Sequence, residues 1–447
     1  MAYTFNGGIH VEEYKNTRKC RIETLPPPKK VTIPLSQHIG APATALVNPG
    51  DTVTLGQKIG DVAEGMLGCP VHASVSGTVK EIVKKTIPTG AVVEHIVIEN
   101  DMQDTLCPDI HPTEKRLTDV EPAEIVSVIR EAGIVGMGGA AFPTYAKINS
   151  ALGKVDRIII NCAECEPFIT ANHRLLLEHP ASVINGVKIL LKALGVRTAY
   201  IAVEDNKMDA VEKLEELLAD SKMISVRVMK TKYPQGDERQ LIYALTGQEI
   251  PAGKLPADVG CVIFNAETCA AIYKAFSTGM PSVTRVVTVD GDCIRRPKNL
   301  LVPVGTEAGE LIAFCGGLAR PPKKLISGGP MMGAAQWDPD MPVTKSTSAV
   351  LVFSERFGKK RVPAPSCIHC GRCVNHCPMH LMPMYIAQFS QAGDLKRAEE
   401  YGAMSCVECG SCSYNCPGGV EIVQHIRVAK ASIKAEKARA ATQNAQK

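Results

Sequence analysis

The sequence lacks a long apolar run and a signal-like N-terminus. No stretch among its 447 residues approaches the roughly 20 apolar residues that a membrane-spanning helix needs. The opening residues, MAYTFNGGIHVEEYK, have no apolar core behind a basic region. We therefore expect a chain that neither spans a membrane nor is exported.

The sequence also lacks an excess of one charge. Its formal net charge is +4, and acidic and basic residues are interspersed. A dedicated nucleic-acid-binding protein would concentrate basic residues on one face, so we expect no nucleic acid partner. The hydrophobic fraction of 45% is typical of globular chains, and the length is too great for one core, which predicts several domains.

Cysteine is abundant, with 17 residues. In a chain that is not exported, these residues are expected to be thiols and metal ligands rather than a disulfide framework. Eight fall into two matching motifs near the C-terminus. Most of the other nine are interpreted as small buried hydrophobic residues.

The two motifs are C-x2-C-x2-C-x3-C-P runs, which begin at Cys367 and Cys406. Each matches the run that binds 4Fe-4S clusters in two-cluster ferredoxins, in which the fourth cysteine ligates the other cluster. A doubled CxxC also fits zinc, but two full copies with their prolines favour iron–sulfur. We assign none of His369, His376 and His380 as a ligand. The predicted ligand sets are Cys367, Cys370, Cys373 and Cys416 for one cluster, and Cys406, Cys409, Cys412 and Cys377 for the other.

The first hundred residues predict an arm followed by a β domain. Residues 1–30 form the N-terminal arm, and residues 31–105 alternate short apolar and polar runs. The phrases PGDTVTLGQKIG and PVHASVSGTVKEI resemble barrel-sandwich domains of the biotinyl/lipoyl type. The segment at the expected hairpin tip, 66–70, contains no lysine, so a structural or docking module is favoured over a cofactor carrier.

Changes in the spacing of apolar residues along the chain predict the remaining domains. Residues 106–280 alternate helix and strand, which predicts a Rossmann-like three-layer α/β domain with a mostly parallel sheet and one helix around 173–194. Residues 281–330 suggest a small β-grasp domain. Residues 331–420 carry the two cluster motifs in an α-helical ferredoxin-type domain, and 421–447 predict a basic helix or tail. The fold class is therefore multidomain α/β.

A glycine-rich loop, Gly136 to Pro143, contains a G-x-G-x-x-A pattern. The dinucleotide fingerprint requires a strand directly before the loop, whereas a helix is predicted here. The spacing alone fits either a phosphate site at a helix start or a tight turn between helices.

Four segments in order resemble the NADH-oxidising flavoprotein subunit of respiratory complex I. They are GIVGMGGAAFPTYAK, NCAECEP, YPQGDE and FNAET. Together with the β domain, the β-grasp region, the cluster motifs and the opening FNGGIH followed by a lysine, the whole chain resembles the C subunit of the Rnf complex. That family belongs to membrane-bound, ion-translocating ferredoxin:NAD oxidoreductases.

The resemblance implies a noncovalent FMN site and an NAD(H) site. Phe142 would stack on the nicotinamide nucleotide, and Glu166 would accept from its hydroxyl groups. Met137 and Ala163 stand where the complex I family has Arg and Asp. The Cys162/Cys165 pair fits a redox disulfide or metal site, although two packed thiols are favoured. The implied FMN contacts are Gly136, Gly138, Gly139, Lys147, Asn161, Glu164, Tyr233, Gly236, Asp237, Glu238 and Asn265.

The resemblance further implies a peripheral electron-transfer subunit on the cytoplasmic side of the cell membrane. It would exchange hydride between NAD(H) and FMN and pass single electrons through two 4Fe-4S clusters. Its partners would be other Rnf-type subunits, including a ferredoxin-like iron–sulfur subunit, and indirectly ferredoxin. The alternatives are a flavin subunit of a soluble NAD-linked complex and a cluster-bearing wire and scaffold without flavin.

Overall fold

The computed structural model describes residues 2–87, 90–357 and 365–445. The chain forms four packed regions joined by the N-terminal arm, which contributes strand β1 (Ile22–Thr24). Across the described ranges, no helix is both long and apolar enough to cross a membrane.

The first region is an all-β sandwich, as its alternating pattern predicts. One sheet has the order β2-β8-β7-β4 and the other β3-β5-β6. Valine and isoleucine side chains from both sheets fill the core between them. The strands are β2 (Lys30–Pro34), β3 (Thr44–Ala45), β4 (Thr52–Val53), β5 (Lys58–Asp61), β6 (Val71–His72), β7 (Gly77–Thr86) and β8 (Val92–Asn100).

The second region is a three-layer α/β domain. Its strands are β9 (Arg157–Cys162), β10 (Ala199–Glu204), β11 (Ile224–Met229) and β12 (Cys261–Asn265). Its helices are α1 (Pro122–Glu131), α2 (Thr144–Ala151), α3 (Ala171–Glu178), α4 (Pro180–Leu194), α5 (Met208–Leu217), α6 (Glu238–Thr246) and α7 (Ala266–Thr278). Short 3₁₀ turns occupy Leu117–Asp119, Asp205–Lys207 and Pro256–Val259.

The sheet of this domain is wholly parallel, in the order β11-β10-β9-β12. The strand order reverses at β9, because β10 lies on one side of it and β12 on the other. The predicted single helix around 173–194 is two helices, α3 and α4, which meet at His179. Pro180 starts the second helix because it has no amide hydrogen with which to continue the first.

The third region is a six-stranded mixed sheet in the order β1-β14-β13-β17-β15-β16. It extends further along the chain than the predicted 281–330 range, because the fully buried strand β17 pairs between β13 and β15. Its elements are β13 (Thr284–Asp290), β14 (Lys298–Pro303), α8 (Ala308–Phe314), β15 (Lys324–Ser327), β16 (Ala334–Gln336) and β17 (Ala349–Phe353).

The fourth region is helical and carries both cysteine motifs. A short helix follows the second cysteine of each motif, and the segment between the motifs is mainly helical, as predicted. Its elements are α9 (Arg372–Asn375), α10 (Pro383–Gln391), α11 (Leu395–Glu400), a 3₁₀ turn (Ala403–Ser405), α12 (Ser411–Tyr414) and α13 (Ile422–Ala445).

Candidate functional site

Two asparagines meet at the carboxyl edge of the parallel sheet, where the strand order reverses. Asn161 lies at the end of β9 and Asn265 at the end of β12. The Asn265 side-chain amide donates to the Asn161 carbonyl at 3.4 Å, and the Asn161 amide donates to the Gly236 carbonyl at 2.7 Å. Crevices at such reversal points are where open α/β sheets bind ligands.

The glycine-rich loop lies beside these asparagines. It is closed at its base by a bridge between Val135 and Pro143, and the Gly136 amide donates to the Phe142 carbonyl at 2.9 Å. A Cβ atom built on Gly138 would lie 2.7 Å from the Asn265 side-chain nitrogen, whereas one built on Gly139 would meet no described atom within 4 Å. The loop therefore leaves open space beside exposed backbone, which suits the close approach of a phosphate.

The buried side of the loop is apolar and fixed. Met137 is buried, its amide donates to the Thr268 hydroxyl at 3.0 Å, and its carbonyl accepts from Arg285 at 3.2 Å. Ala163, which stands where the complex I family has Asp, is also fully buried. The side chains of Met137 and Ala163 therefore offer a ligand fewer hydrogen bonds than Arg and Asp would provide.

Lys147 on α2 lies against the middle of strand β12. Its ammonium donates to the Ile263 carbonyl at 2.9 Å and lies 5.8 Å from the centre of the Phe264 ring. Burial lowers the pKa of Lys147, and the negative charge of the exposed Glu238 opposes that shift. The Lys147 side chain is thus held against β12 by contacts within the protein.

Two of the predicted acidic contacts cap helices. Glu164 accepts hydrogen bonds from the amides of Asn172 and His173 at the start of α3, at 2.7 and 3.2 Å. Asp237 accepts from the amides of Arg239 and Gln240 at the start of α6. Burial raises the pKa of Asp237 to about 6. Both carboxylates therefore stabilise elements that border the crevice.

The two residues predicted to bind NAD(H) have different surroundings. Phe142 is half-buried on the glycine-rich loop. Glu166 is tied to the third region, since it accepts from the amides of Met331 and Met332 at 3.0 and 2.9 Å. Burial raises the pKa of Glu166 to about 7.

The acidic loop between β9 and α3 depends on Lys15, a residue whose role the sequence reasoning missed. The buried Lys15 ammonium donates to three carbonyls of that loop, those of Glu164, Glu166 and Ile169, at 2.7 to 2.8 Å. Burial lowers the pKa of Lys15. The lysine that follows the FNGGIH motif was noted in the sequence, but nothing in its spacing reveals this distant partner.

Cys162 and Cys165 are both free thiols, and they face different surroundings. Cys162 belongs to the main core of the α/β domain. Cys165 packs near Tyr233 and Cys409, and its sulfur accepts from the Gly236 amide at 3.3 Å. Burial raises the pKa of both thiols. The role of the pair stays a prediction.

Tyr233 connects the α/β domain to the cysteine region. Its side chain is buried, and its hydroxyl donates to the carbonyl of Cys409 at 2.8 Å. Its backbone pairs with Ile9 of the arm. The tyrosine predicted to contact FMN thus contacts a predicted cluster ligand.

Four thiols line one cavity in the fourth region, and we call them the inner quartet: Cys377, Cys406, Cys409 and Cys412. Cys377 belongs to the first motif and the other three to the second, which is the crossed arrangement the sequence predicts. Amide groups point at two of the sulfurs, from Leu381 to Cys377 at 3.4 Å and from Glu408 to Cys406 at 3.3 Å. Thiols and amide donors around one cavity fit a 4Fe-4S cluster.

The other four cysteines form the outer quartet: Cys367, Cys370, Cys373 and Cys416. The segments before Cys367 and after Cys416 are in contact, because the Ser366 amide donates to the Gly418 carbonyl at 3.2 Å. Cys370 is exposed, and the other three thiols are half-buried. Over the described ranges, no three His, Cys, Asp or Glu side chains converge on a position for a single metal ion.

The barrel-sandwich hairpin abuts the base of the glycine-rich loop. Cys69, at the tip, packs with Val135 and Ala141. The buried Lys345 ammonium donates to the carbonyls of Pro70 and Gly133 at 2.8 and 2.7 Å, and burial lowers its pKa to about 8. These contacts give the hairpin a structural role beside the candidate site.

Family models match all four regions. They are an RnfC barrel-sandwich hybrid domain over residues 3–103, a Nuo51 FMN-binding domain over 129–274, an SLBB domain over 286–335 and a 4Fe-4S dicluster domain over 366–420. The fold class predicted from the sequence is confirmed. Together the regions define a flavin-binding, iron–sulfur electron-transfer protein.

Full-length relatives identify the family. The chain is 44% identical over 97% of its length to the C subunit of the Na(+)-translocating ferredoxin:NAD(+) oxidoreductase complex of Acetobacterium woodii, covering 98% of that protein. It is also 44% identical to the C subunit of the proton-translocating complex of Clostridium ljungdahlii, with 97% and 95% of the two chains covered. The chain belongs to this family, the C subunits of ion-translocating oxidoreductase complexes, which confirms the resemblance seen in the sequence.

A solved structure shares the fold at lower similarity. The NAD+-reducing [NiFe]-hydrogenase in its air-oxidized state matches with a TM-score of 0.51 and 20% identity, over 72% of this chain and 62% of the hydrogenase chain. The H2-reduced state gives a TM-score of 0.50 and 19% identity, over 71% and 63% of the two chains.

Proposed function

We propose that the crevice at Asn161, Gly236 and Asn265 holds FMN and that this subunit exchanges electrons there with NAD(H). Bound FMN would accept or donate a hydride and exchange single electrons with 4Fe-4S clusters. The observation that carries the proposal is the open space beside Gly139, next to two asparagine amides at the strand-order reversal. The FMN-binding family model over residues 129–274 supports it.

The chain's own residues have distinct roles in this proposal. The amides of Gly138 and Gly139 would face the phosphate, while Gly136, whose amide is bound to the Phe142 carbonyl, would hold the shape of the loop. The side chains of Asn161 and Asn265 would orient the polar edge, while the buried Met137 closes the far side of the loop to water. Lys147 and Glu238 would supply charge at the rim. Glu164, Tyr233 and Asp237 remain predicted contacts, although their polar side-chain atoms are engaged within the protein.

Phe142 and Glu166 remain the candidates for the NAD(H) site. The half-exposed Phe142 ring offers a stacking surface. Glu166 already accepts two backbone amides, so a nucleotide hydroxyl would have to share its remaining lone pairs or displace the Met331–Met332 turn.

The inner and outer quartets would each hold one 4Fe-4S cluster, with Cys377 and Cys416 exchanged between motifs. We further propose that the subunit is peripheral, on the cytoplasmic side of the membrane, and acts with other subunits of a ferredoxin:NAD oxidoreductase complex. One partner would be a ferredoxin-like iron–sulfur subunit, which would link it indirectly to ferredoxin.

The test is FMN content. Acid treatment of the unaltered protein should release about one FMN per chain, because the site is of the noncovalent type that binds phosphate at a helix start. Gly138→Val should empty the site, because its Cβ alone would lie 2.7 Å from the Asn265 amide. Gly309→Ala, whose Cβ would lie at an ordinary 3.6 Å from Pro339, is the control that should keep FMN.

Both variants should retain their iron, since the cysteines lie in another region. Normal FMN binding by Gly138→Val would reduce the loop to a structural turn. Unaltered protein without FMN would instead support the wire-and-scaffold alternative, which Met137 and Ala163 keep open.

A further inference from the structure

The N-terminal arm pairs with the α/β domain along one side. The Tyr3 amide donates to the Val228 carbonyl at 2.9 Å, and the Lys230 amide donates back to the Tyr3 carbonyl at 2.8 Å. Ile9 and Tyr233 exchange two backbone hydrogen bonds, at 2.8 and 2.9 Å. The arm therefore adds to the parallel sheet beside β11. The candidate flavin site lies in the same sheet, at the ends of β9 and β12.

The other side of the arm contacts the cysteine region. The Gly8 amide donates to the His376 carbonyl at 3.1 Å. A Cβ atom built on Gly7 would lie 2.8 Å from the carbonyl oxygen of Cys377, a member of the inner quartet. The same short segment thus lies in the seam between the two regions.

Only glycine fits these two positions. Gly7 and Gly8 have φ angles of +76° and +73°, in the left-handed region. A Cβ atom on Gly8 would lie 2.7 Å from the Tyr233 carbonyl. A side chain at Gly7 would push the cysteine region away from the arm, and a side chain at Gly8 would push the α/β domain away from it.

Tyr233 provides a second link across the seam. Its hydroxyl binds the Cys409 carbonyl, and three residues later the Gly236 carbonyl accepts the Asn161 amide of the candidate flavin site. Cys409 is therefore held against the segment that borders that site, and Cys377 is held against the arm that pairs with this segment.

We propose that Gly7 and Gly8 are positioning residues for electron transfer. They let the arm approach both regions closely and so fix the separation between the inner quartet and the candidate flavin site. The proposal rests on FMN occupying the Asn161–Asn265 crevice. It also makes the inner cluster the one that exchanges electrons with the flavin site.

The test compares Gly7→Ala with Gly253→Ala. Gly253 has the same φ of +76° but no described atom within 4 Å of its Cβ position, so it controls for backbone strain. We expect both variants to keep FMN and iron. In Gly7→Ala alone, amide deuterium exchange at residues 229–236 and 376–380 should accelerate by about tenfold or more, the equivalent of about 1.4 kcal/mol. Cluster bleaching by NADH should also slow.

Equal exchange and bleaching in the two variants would overturn the proposal. If Gly7→Ala fails to assemble clusters, Tyr233→Phe decides, because it deletes one hydroxyl and keeps the packing. Tyr233→Phe should keep its iron, and amide deuterium exchange at residues 409–411 should become faster. Unchanged exchange at these residues would overturn the proposal. The exchange measurement does not require FMN, so an empty flavin site would count against the proposed function and not against the seam.

Discussion

The two cysteine motifs have the same local backbone conformation, but the two quartets that they form differ in their surroundings. His369 and Glu408, which occupy the same position in their motifs, have left-handed φ angles of 55° and 57°. Each directs its amide at the first cysteine sulfur of its motif, at 3.4 and 3.3 Å. The equal spacing of the motifs therefore produces the same local fold twice.

The surroundings separate them. Three inner cysteines are buried, and two of them, Cys377 and Cys409, contact the arm and Tyr233, whereas Cys370 of the outer quartet is exposed. A repeated motif fixes the ligand geometry, but the domains packed against each copy decide its access to solvent and partners. We expect this difference to appear in stability and redox potential.

The largest expected effect comes from removing the cysteine that each motif contributes to the other motif's cluster. Cys377→Ser should remove the inner cluster although it alters the first motif, and iron should fall from about eight to about four per chain. Cys416→Ser should remove the outer cluster. Iron analysis and EPR of both variants provide the measurement. Loss of the outer cluster in Cys377→Ser would break the crossed assignment.

Chelation should sharpen the contrast in access. An iron chelator should remove the outer cluster faster than the inner one, because Cys370 is exposed while three of the four thiols that line the inner cavity are buried. We expect two phases of iron loss whose rates differ by roughly tenfold or more, as reactivity follows exposure. Absorbance and EPR would follow the two phases. A single phase would show that the quartets are equally accessible.

The clusters should also differ in potential. Reduction adds negative charge, which burial disfavours, so the inner cluster should have the lower midpoint potential, by a difference on the order of 100 mV. A redox titration monitored by EPR, with Cys377→Ser to assign the signals, would measure it. A higher inner potential would mean that amide donors outweigh burial.

The smallest expected effect concerns Lys430, which lies beside the inner quartet on α13. It donates to the Cys406 carbonyl at 2.7 Å and pairs with Glu408 at 2.6 Å. Although burial alone would raise the pKa of Glu408, the hydrogen bond from Lys430 lowers it. Lys430→Met should therefore lower the inner potential by on the order of tens of millivolts, since a positive charge is lost.

Lys434→Met, one turn further along the same helix and exposed, is the matched control and should leave both potentials unchanged. The same titration measures both variants. A Lys430→Met protein whose outer potential moves as much as the inner one would show that the effect is not local.

Structural features that follow from a regular sequence pattern could be predicted without the structure. The alternating region became a sandwich, and the β–α alternation became a parallel sheet with Ile224–Met229 as predicted. The exchange of Cys377 and Cys416 between the two clusters stays a prediction. The expected helix around 173–194 is two helices, because Pro180 outweighs the continuous apolar period.

The sequence by itself determined the fold class and the cofactor types, because local spacing and turn residues specify them. Only the tertiary structure decided what Lys15, Lys345, Glu166 and Tyr233 do. Their partners lie between 149 and 275 residues away. The reason is physical: a buried charge or hydroxyl must find a partner wherever packing supplies one. Spacing along the chain does not record that choice.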